Sequence, residues 1–264
     1  MFEITNFETS RRVRGTLLLS AALVVFIVLI IALFPSIEQT GIDFDAYIES
    51  LPPEARRAFI GDVTTITTID GYLVSQFYQL AWLLALGIYY AYATGSSIAG
   101  EIEDGTLELV LAHPVSRTRL VVGKYLALVP SMLIVNALCF LAVYIGVVSI
   151  GEFIDTEDLL ALHAFSVVYF LACASLGMLA SVRFDTARRA QTVAVGAIFG
   201  MFLVDTLTFD TDYDWIGDIA FTRYFDLGEI LTDGEVALGD FAVLTISAVV
   251  LLVVSAELFE RRDV

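Results

Sequence analysis

The sequence is poor in positive charge, and its shortage of lysine is extreme. Its 264 residues include 14 Lys and Arg against 31 Asp and Glu, which gives a formal net charge of −17, and Lys124 is the sole lysine. We therefore expect no nucleic-acid partner. Acid-rich, lysine-poor surfaces fit a protein that works in concentrated salt, where the Debye length falls to roughly 3 Å at 1 M. A halophilic source is the preferred interpretation, and a funnel that binds cations is the alternative.

The motifs of ATP hydrolysis and of common hydrolases are missing. Gly123-Lys124 cannot close a phosphate-binding loop, because the position five before Gly123 is Thr118 and not glycine. His-Glu-x-x-His and Gly-x-Ser-x-Gly are also absent. We predict that the chain is not an enzyme, has no catalytic residue and binds no cofactor of its own.

Long apolar runs are what the sequence has in abundance. It is 58% hydrophobic with a mean hydropathy of +0.82, and its charge is confined to patches. About 20 apolar residues in a helix cross a bilayer core of roughly 30 Å. We predict an all-α membrane protein, one membrane domain over 1–264, with six transmembrane helices. Their approximate ranges are 15–34, 73–94, 125–148, 159–182, 190–207 and 238–256.

Prolines and the N-terminal residues refine this layout. Pro35 is expected to close the first span, and Pro130 is a possible kink near the start of the third. Residues 1–14 mix aromatic and aliphatic side chains with charges. This pattern predicts a short amphipathic N-terminal helix at the membrane surface, with a frayed charged tail as the alternative.

The distribution of basic residues predicts the orientation. Only Arg56, Arg57 and Arg223 fall in loops on one side of the predicted membrane. The other 11 bases fall on the opposite side: Arg11, Arg12, Arg14, Arg117, Arg119, Lys124, Arg183, Arg188, Arg189, Arg261 and Arg262. The positive-inside rule therefore places both termini in the cytoplasm. The outer loops are acidic, and 216–235 is either a set of short helices or a solvated loop.

Cysteine and histidine are too scarce and too scattered for a metal site. His113 and His163 are expected on opposite sides of the membrane, and His163 is interpreted as an interfacial residue rather than a ligand. Cys139 and Cys173 lie in different apolar runs, where buried thiols behave as small hydrophobes. We predict neither a metal site nor a disulfide.

A charged insert, 100–124, separates the second and third apolar runs. Acidic residues come first, then a turn at His113-Pro114, then basic residues. Pro114 cannot continue a helix, and Ser116 can cap the helix that follows. We therefore predict a cytoplasmic helical hairpin that is offered to a partner.

The insert resembles the ABC-2 type permease family, the membrane subunits of one class of ABC transporter. The resemblance rests on Gly105-Thr106-Leu107-Glu108, Pro114-Val115-Ser116-Arg117 and Gly123-Lys124, and on the six-span layout. It implies a permease that moves a substrate across the cell membrane, with export the expected direction, driven by ATP and Mg on a separate ABC ATPase subunit. It also implies a homodimer or heterodimer of permeases embedded in membrane lipid.

The resemblance further implies which residues couple the permease to the ATPase. Glu108 and Arg117 are the expected contacts, whereas Leu107 and Leu111 are expected to pack the short helix onto its neighbours. The full set of predicted coupling residues is Glu101, Gly105, Thr106, Leu107, Glu108, Pro114, Ser116 and Arg117.

Few polar residues or small-residue pairs fall within the predicted spans. Asp205 is interpreted as interfacial, with a gate or a substrate contact as the alternative, and Asn136 could bridge helices. Gly196 and Gly200 share one face of the fifth span and predict either dimerisation or packing within one subunit. Two other functions stay open: a membrane scaffold that partners an ABC ATPase without moving solute, and an ion-coupled secondary transporter. The sequence does not indicate a substrate.

Overall fold

The computed structural model describes residues 2–38, 46, 48, 50–61, 63, 65–108 and 116–262. A long helix α3 combines the segments Ile69–Leu73, Val74–Leu86 and Gly87–Gly95. The other helices are α1 (Phe2–Glu38), α2 (Pro53–Ile60), α4 (Ala99–Glu103), α5 (Arg117–Leu126), α6 (Val129–Ser149), α7 (Thr156–Arg183), α8 (Ala187–Thr208), α9 (Leu227–Thr232) and α10 (Leu238–Glu260).

Six stretches in the described part of the chain are long and apolar enough to cross a membrane. They are Glu8–Ile37, Ile69–Glu103, Arg117–Ser149, Thr156–Arg183, Ala187–Thr208 and Leu238–Glu260. Each of the six predicted apolar runs lies within one of them, so the all-α, six-span prediction is confirmed.

Helix α7 lies at the centre of the bundle. It packs most extensively on α10 and on the second half of α3, and it also contacts α6 and α8. Gly177 permits the close approach to α3, because a Cβ there would lie 2.0 Å from the Ala91 carbonyl oxygen. The Thr94 hydroxyl crosses the same contact and donates to the Ala174 carbonyl oxygen at 2.8 Å. Helices α1, α8 and α10 are peripheral, with at most 33% of each apolar stretch buried.

Two predictions about the first helix are wrong. The predicted short N-terminal helix is not separate, because α1 runs unbroken from Phe2 to Glu38. No proline interrupts it before Pro35, and cooperative propagation continues a helix where nothing stops it. Pro35 does not close the helix either, since it lies in the last turn, where losing one backbone hydrogen bond has little effect.

Helix α3 departs from regular α-helical geometry, which the sequence did not indicate. Its segment Val74–Leu86 is π-helical, a form that is rare and usually confined to single turns. Three large aromatic side chains of this segment, Phe77, Tyr78 and Trp82, are completely buried and contact one another.

Local breaks elsewhere follow the proline and loop predictions. The third span is interrupted at Ala127–Leu128, and α6 restarts with Pro130 in its first turn. Between α8 and α10 the chain forms 3₁₀ helices at Asp214–Ile219 and Phe221–Tyr224, followed by α9. The interpretation of 216–235 as short helices is therefore confirmed over the solvated-loop alternative.

The contact at Gly177 predicts a large difference between two alanine substitutions. Gly177→Ala should destabilise the protein by about 2 kcal/mol or more, because the added methyl group meets fixed backbone. Gly196→Ala should be neutral or slightly stabilising, since nothing lies within 4 Å of its Cβ position and alanine favours helix. Thermal unfolding of the purified variants in detergent measures both. Equal unfolding temperatures would contradict the close packing of α3 on α7.

Candidate functional site

The charged insert is described on both sides of its turn. Residues 100–108 and 116–124 are described, whereas 109–115 lie outside the described residues. The predicted turn at His113-Pro114 therefore has no described structure, and neither do Val110 and Leu111. Pro114 remains a coupling residue by prediction only.

The acidic half of the insert folds into the short helix α4 and a glycine-terminated turn. Gly105 has φ of 66°, which favours glycine, and its amide donates to the Ile102 carbonyl oxygen at 3.1 Å. The Thr106 amide reaches back to the Glu101 carbonyl oxygen at 3.0 Å. Beyond the turn Leu107 is only 1% exposed and packs into the core, whereas Glu108 is exposed.

The basic half begins with the predicted helix cap. The Ser116 hydroxyl accepts a hydrogen bond from the Arg119 amide at 3.3 Å, and α5 starts at the next residue. The prediction that Ser116 caps this helix is confirmed.

Arg117, predicted as an ATPase contact, is bound to the end of the last span. Its guanidinium donates to the carbonyl oxygens of Phe259, at 3.0 Å, and Arg262. It also lies over the Phe259 ring, 5.5 Å from the centroid. Arg117 therefore ties the start of α5 to the end of α10.

Lys124 joins three helices at the same end of the bundle. It is 5% exposed, and its Nζ lies 2.6 Å from Glu101 Oε1 on α4 and 3.1 Å from Glu8 Oε1 on α1. A buried lysine is costly unless it is paired, and here two carboxylates share one ammonium group. The sequence patterns did not indicate this pairing of Lys124. The signal available was that the chain has a single lysine.

Helix α4 is also held to the fourth and fifth spans, α7 and α8. The Ser181 hydroxyl of α7 accepts from the amides of Ile98, at 2.8 Å, and Ala99, at 3.1 Å. The Glu103 carboxylate accepts from the Ala187 amide at 2.9 Å, at the start of α8. One short helix and the turn before it are thus bonded to α5, α7 and α8, and Lys124 links them to α1.

An open pocket of about 580 Å³ lies between α1, α4 and α5. Two polar atoms at its wall, Arg12 Nε and Glu101 Oε2, are buried and make no direct hydrogen bond to the described residues. Three acidic and three basic residues contribute to its lining. The full set of lining residues is Glu8, Arg11, Arg12, Ser96, Ser97, Gly100, Glu101, Asp104, Thr106 and Lys124. The pocket is therefore charged, with acids from α4 and the residue after it opposite bases from α1 and α5.

A second ionic cluster lies at the opposite end of the bundle, around Asp205. This side chain is 3% exposed, so it lies inside the protein and not at the lipid–water interface as predicted. Its oxygens lie 3.7 Å from the Arg57 guanidinium and 3.6 Å from that of Arg223, and Thr222 donates to it at 2.9 Å. Two of the three bases predicted outside the cell thus pair with one buried carboxylate.

The periphery of this cluster is more exposed. Arg223 also forms a two-pronged contact with Asp214, and this hydrogen bonding lowers the pKa of the Asp214 carboxyl. The cavity next to Asp205 is only about 20 Å³, room for one water molecule at most. These contacts favour a structural role for Asp205 over the gate or substrate contact.

A third, uncharged cluster lies within the bundle. His163 Nδ1 lies 3.1 Å from Asn136 Oδ1, and His163 Nε2 lies 3.1 Å from the Tyr78 hydroxyl. Ser166 donates to Asn136 Oδ1 at 2.7 Å, while the Asn136 amide donates to Met132 O. The prediction that Asn136 bridges helices is confirmed, and the interfacial assignment of His163 is wrong because the ring is buried.

The glycine pair of the fifth span faces away from the rest of the subunit. No atom lies within 4 Å of a Cβ built on Gly196 or Gly200. Packing within one subunit therefore does not use these glycines. Their face of α8 is open to lipid or to another chain.

Comparison of the sequence with known proteins identifies a family. A family model described as "ABC-2 family transporter protein" matches residues 4–264. No curated protein matches the sequence.

Replacing Asp205 tests whether the outer cluster is structural. Asp205→Asn keeps the size of the side chain but removes the charge that compensates the buried Arg57 and the half-buried Arg223. We expect a loss of about 3 kcal/mol in stability, typical of breaking a buried ion pair, measured by thermal unfolding in detergent. Asp214→Asn is the control and should have a much smaller effect, because its carboxylate is largely exposed. Full stability of Asp205→Asn would contradict the structural role.

Proposed function

The chain belongs to the ABC-2 family of transporter proteins, and from that premise we propose that it is the permease subunit of an ABC transporter. A separate ABC ATPase subunit would bind and hydrolyse ATP with Mg, and the permease would export a substrate across the cell membrane. The observation that supports coupling is the position of α4, which is bonded to α5, α7 and α8 and is linked to α1 through Lys124.

We place the ATPase on the face formed by α4 and the turn after it. Glu108 is the contact that the geometry favours, because its side chain is exposed beside the buried anchor Leu107. Arg117 would act differently, by transmitting motion of α5 to α10 through its bonds to the Phe259 and Arg262 carbonyl oxygens. Closure of the ATPase dimer would then shift the permease between two conformations.

Two permease copies, identical or related, would complete the transporter. The exposed apolar face of α1 is the candidate for contact with the second copy. Both termini would lie in the cytoplasm, since 11 of 14 basic residues fall on that side.

The acidic composition supports function at high salt. Most carboxylates fall in the segments predicted outside the cell. Two arginines of these segments, Arg57 and Arg223, form ion pairs with Asp205, Asp214 and Asp226. We propose that the remaining acids hydrate the outer surface in a halophilic microbe.

Charge reversal at Glu108 tests the coupling role. Glu108→Lys should lower the stimulation of ATP hydrolysis by the permease about tenfold. The reversed charge would repel the basic group on the ATPase that Glu108 is proposed to pair with. Asp212→Lys makes the same charge change on an exposed residue at the opposite end and should leave ATPase activity unchanged. The assay uses purified complex in lipid vesicles. Equal activities of the two variants would remove Glu108 from the contact.

Single-cysteine labelling tests the orientation. Cys139 and Cys173 are buried, so they should react slowly with a membrane-impermeant maleimide. Asp104→Cys should be labelled only in inside-out vesicles, and Asp212→Cys only in right-side-out vesicles. Labelling of Asp104→Cys from outside the cell would place α4 beyond reach of any ATPase and would refute the proposed function.

A further inference from the structure

The start of α8 carries a second pocket that the coupling role does not use. This pocket of about 390 Å³ opens away from the bundle and is lined by Phe184, Arg188, Arg189, Thr192 and Val193. The wall of the pocket is almost wholly apolar, and its two arginines, Arg188 and Arg189, are both exposed at the end of a membrane-spanning helix.

The charges around the pocket favour an anion. Guanidinium groups bind phosphate oxygens in paired hydrogen bonds, and arginines at the end of a span lie at headgroup depth. The two nearby acids already have other partners: Glu103 accepts from the Ala187 amide, and Asp185 pairs with Arg262. No acidic residue is among those that line the pocket.

The pocket continues along α8 as a shallow apolar depression. Gly196 and Gly200 follow Val193 on the same exposed face, and the exposed side chains of Phe199 and Leu203 rise beside them. The 12 residues from Arg189 to Gly200 span about 16 Å of helix, close to the roughly 15 Å thickness of one leaflet. A hydrocarbon chain can lie along this depression while its headgroup reaches the arginines.

We propose that this face of α8 binds an anionic phospholipid, with its phosphate on Arg188 and Arg189 and one acyl chain over Gly196 and Gly200. A second permease copy does not by itself explain the arginines. About a two-fold axis along the membrane normal, it would bring four guanidinium groups to one depth and would still need an anion between them. The proposal does not depend on ATPase coupling.

Lipid retention measures this binding directly. The purified protein, exchanged into detergent with equal phosphatidylglycerol and phosphatidylcholine of one chain length, is analysed by native mass spectrometry. The wild type should retain phosphatidylglycerol in preference. The double variant R188Q/R189Q should bind it about 30-fold more weakly, the factor expected for two basic residues at a headgroup.

R183Q is the matched control, because Arg183 is exposed in the same basic loop but does not line the pocket. It should retain phosphatidylglycerol like the wild type. Raising the salt concentration should weaken wild-type retention of phosphatidylglycerol and leave phosphatidylcholine unchanged. Equal retention of the two lipids by the wild type, or equal loss in R183Q and R188Q/R189Q, would overturn the proposal. A wild type that forms a dimer without bound lipid would also overturn the proposal.

Discussion

Polar groups on neighbouring helices hydrogen-bond to one another in this protein, and that constraint fixes the arrangement of the end of the bundle that carries Lys124. Apolar surface gives little drive for helices to associate within a bilayer, so close packing and interhelical hydrogen bonds carry more of the contact. The Thr94 and Ser181 hydroxyls bond to backbone across α3, α4 and α7. Lys124 adds an ionic link to α1. Helix α4 has five residues and could not be stable alone, so its position depends on these contacts.

The two ends of the bundle solve the cost of buried charge in opposite ways. At one end a single ammonium, Lys124, is shared by two carboxylates, and at the other a single carboxylate, Asp205, is shared by two guanidinium groups. Each arrangement draws together residues that are far apart in sequence. Between them the His163 cluster is held by neutral hydrogen bonds alone. Charge is thus confined to the ends, where partial hydration lowers its cost.

The sequence sufficed for features that depend on local composition. Apolar runs gave the six spans, and Ser116 before a helical pattern gave a correct cap, because both signals are contained in a few adjacent residues. The unbroken α1, the π-helical segment of α3 and the partners of Lys124 and Asp205 depend on which helices become neighbours. Two features of the composition pointed to these residues: the single lysine, and the three arginines on the side of the membrane predicted to carry few bases. Neither feature indicates which residue is the partner.

These contacts limit how the Lys124 end of the bundle can move. Helix α4 is bonded to α5, α7 and α8, and Lys124 links it to α1, so a displacement of α4 must either break those bonds or tilt the spans together. Beyond Gly105 the chain is held by the bond from the Thr106 amide to the Glu101 carbonyl oxygen and by the buried side chain of Leu107. A partner that binds Glu108 alone would act on α4 only through this turn. To move the bundle it must also bear on the charged face of α4, where Glu101 and Asp104 line the pocket. The breadth of this face, more than any single residue, decides whether force reaches the spans.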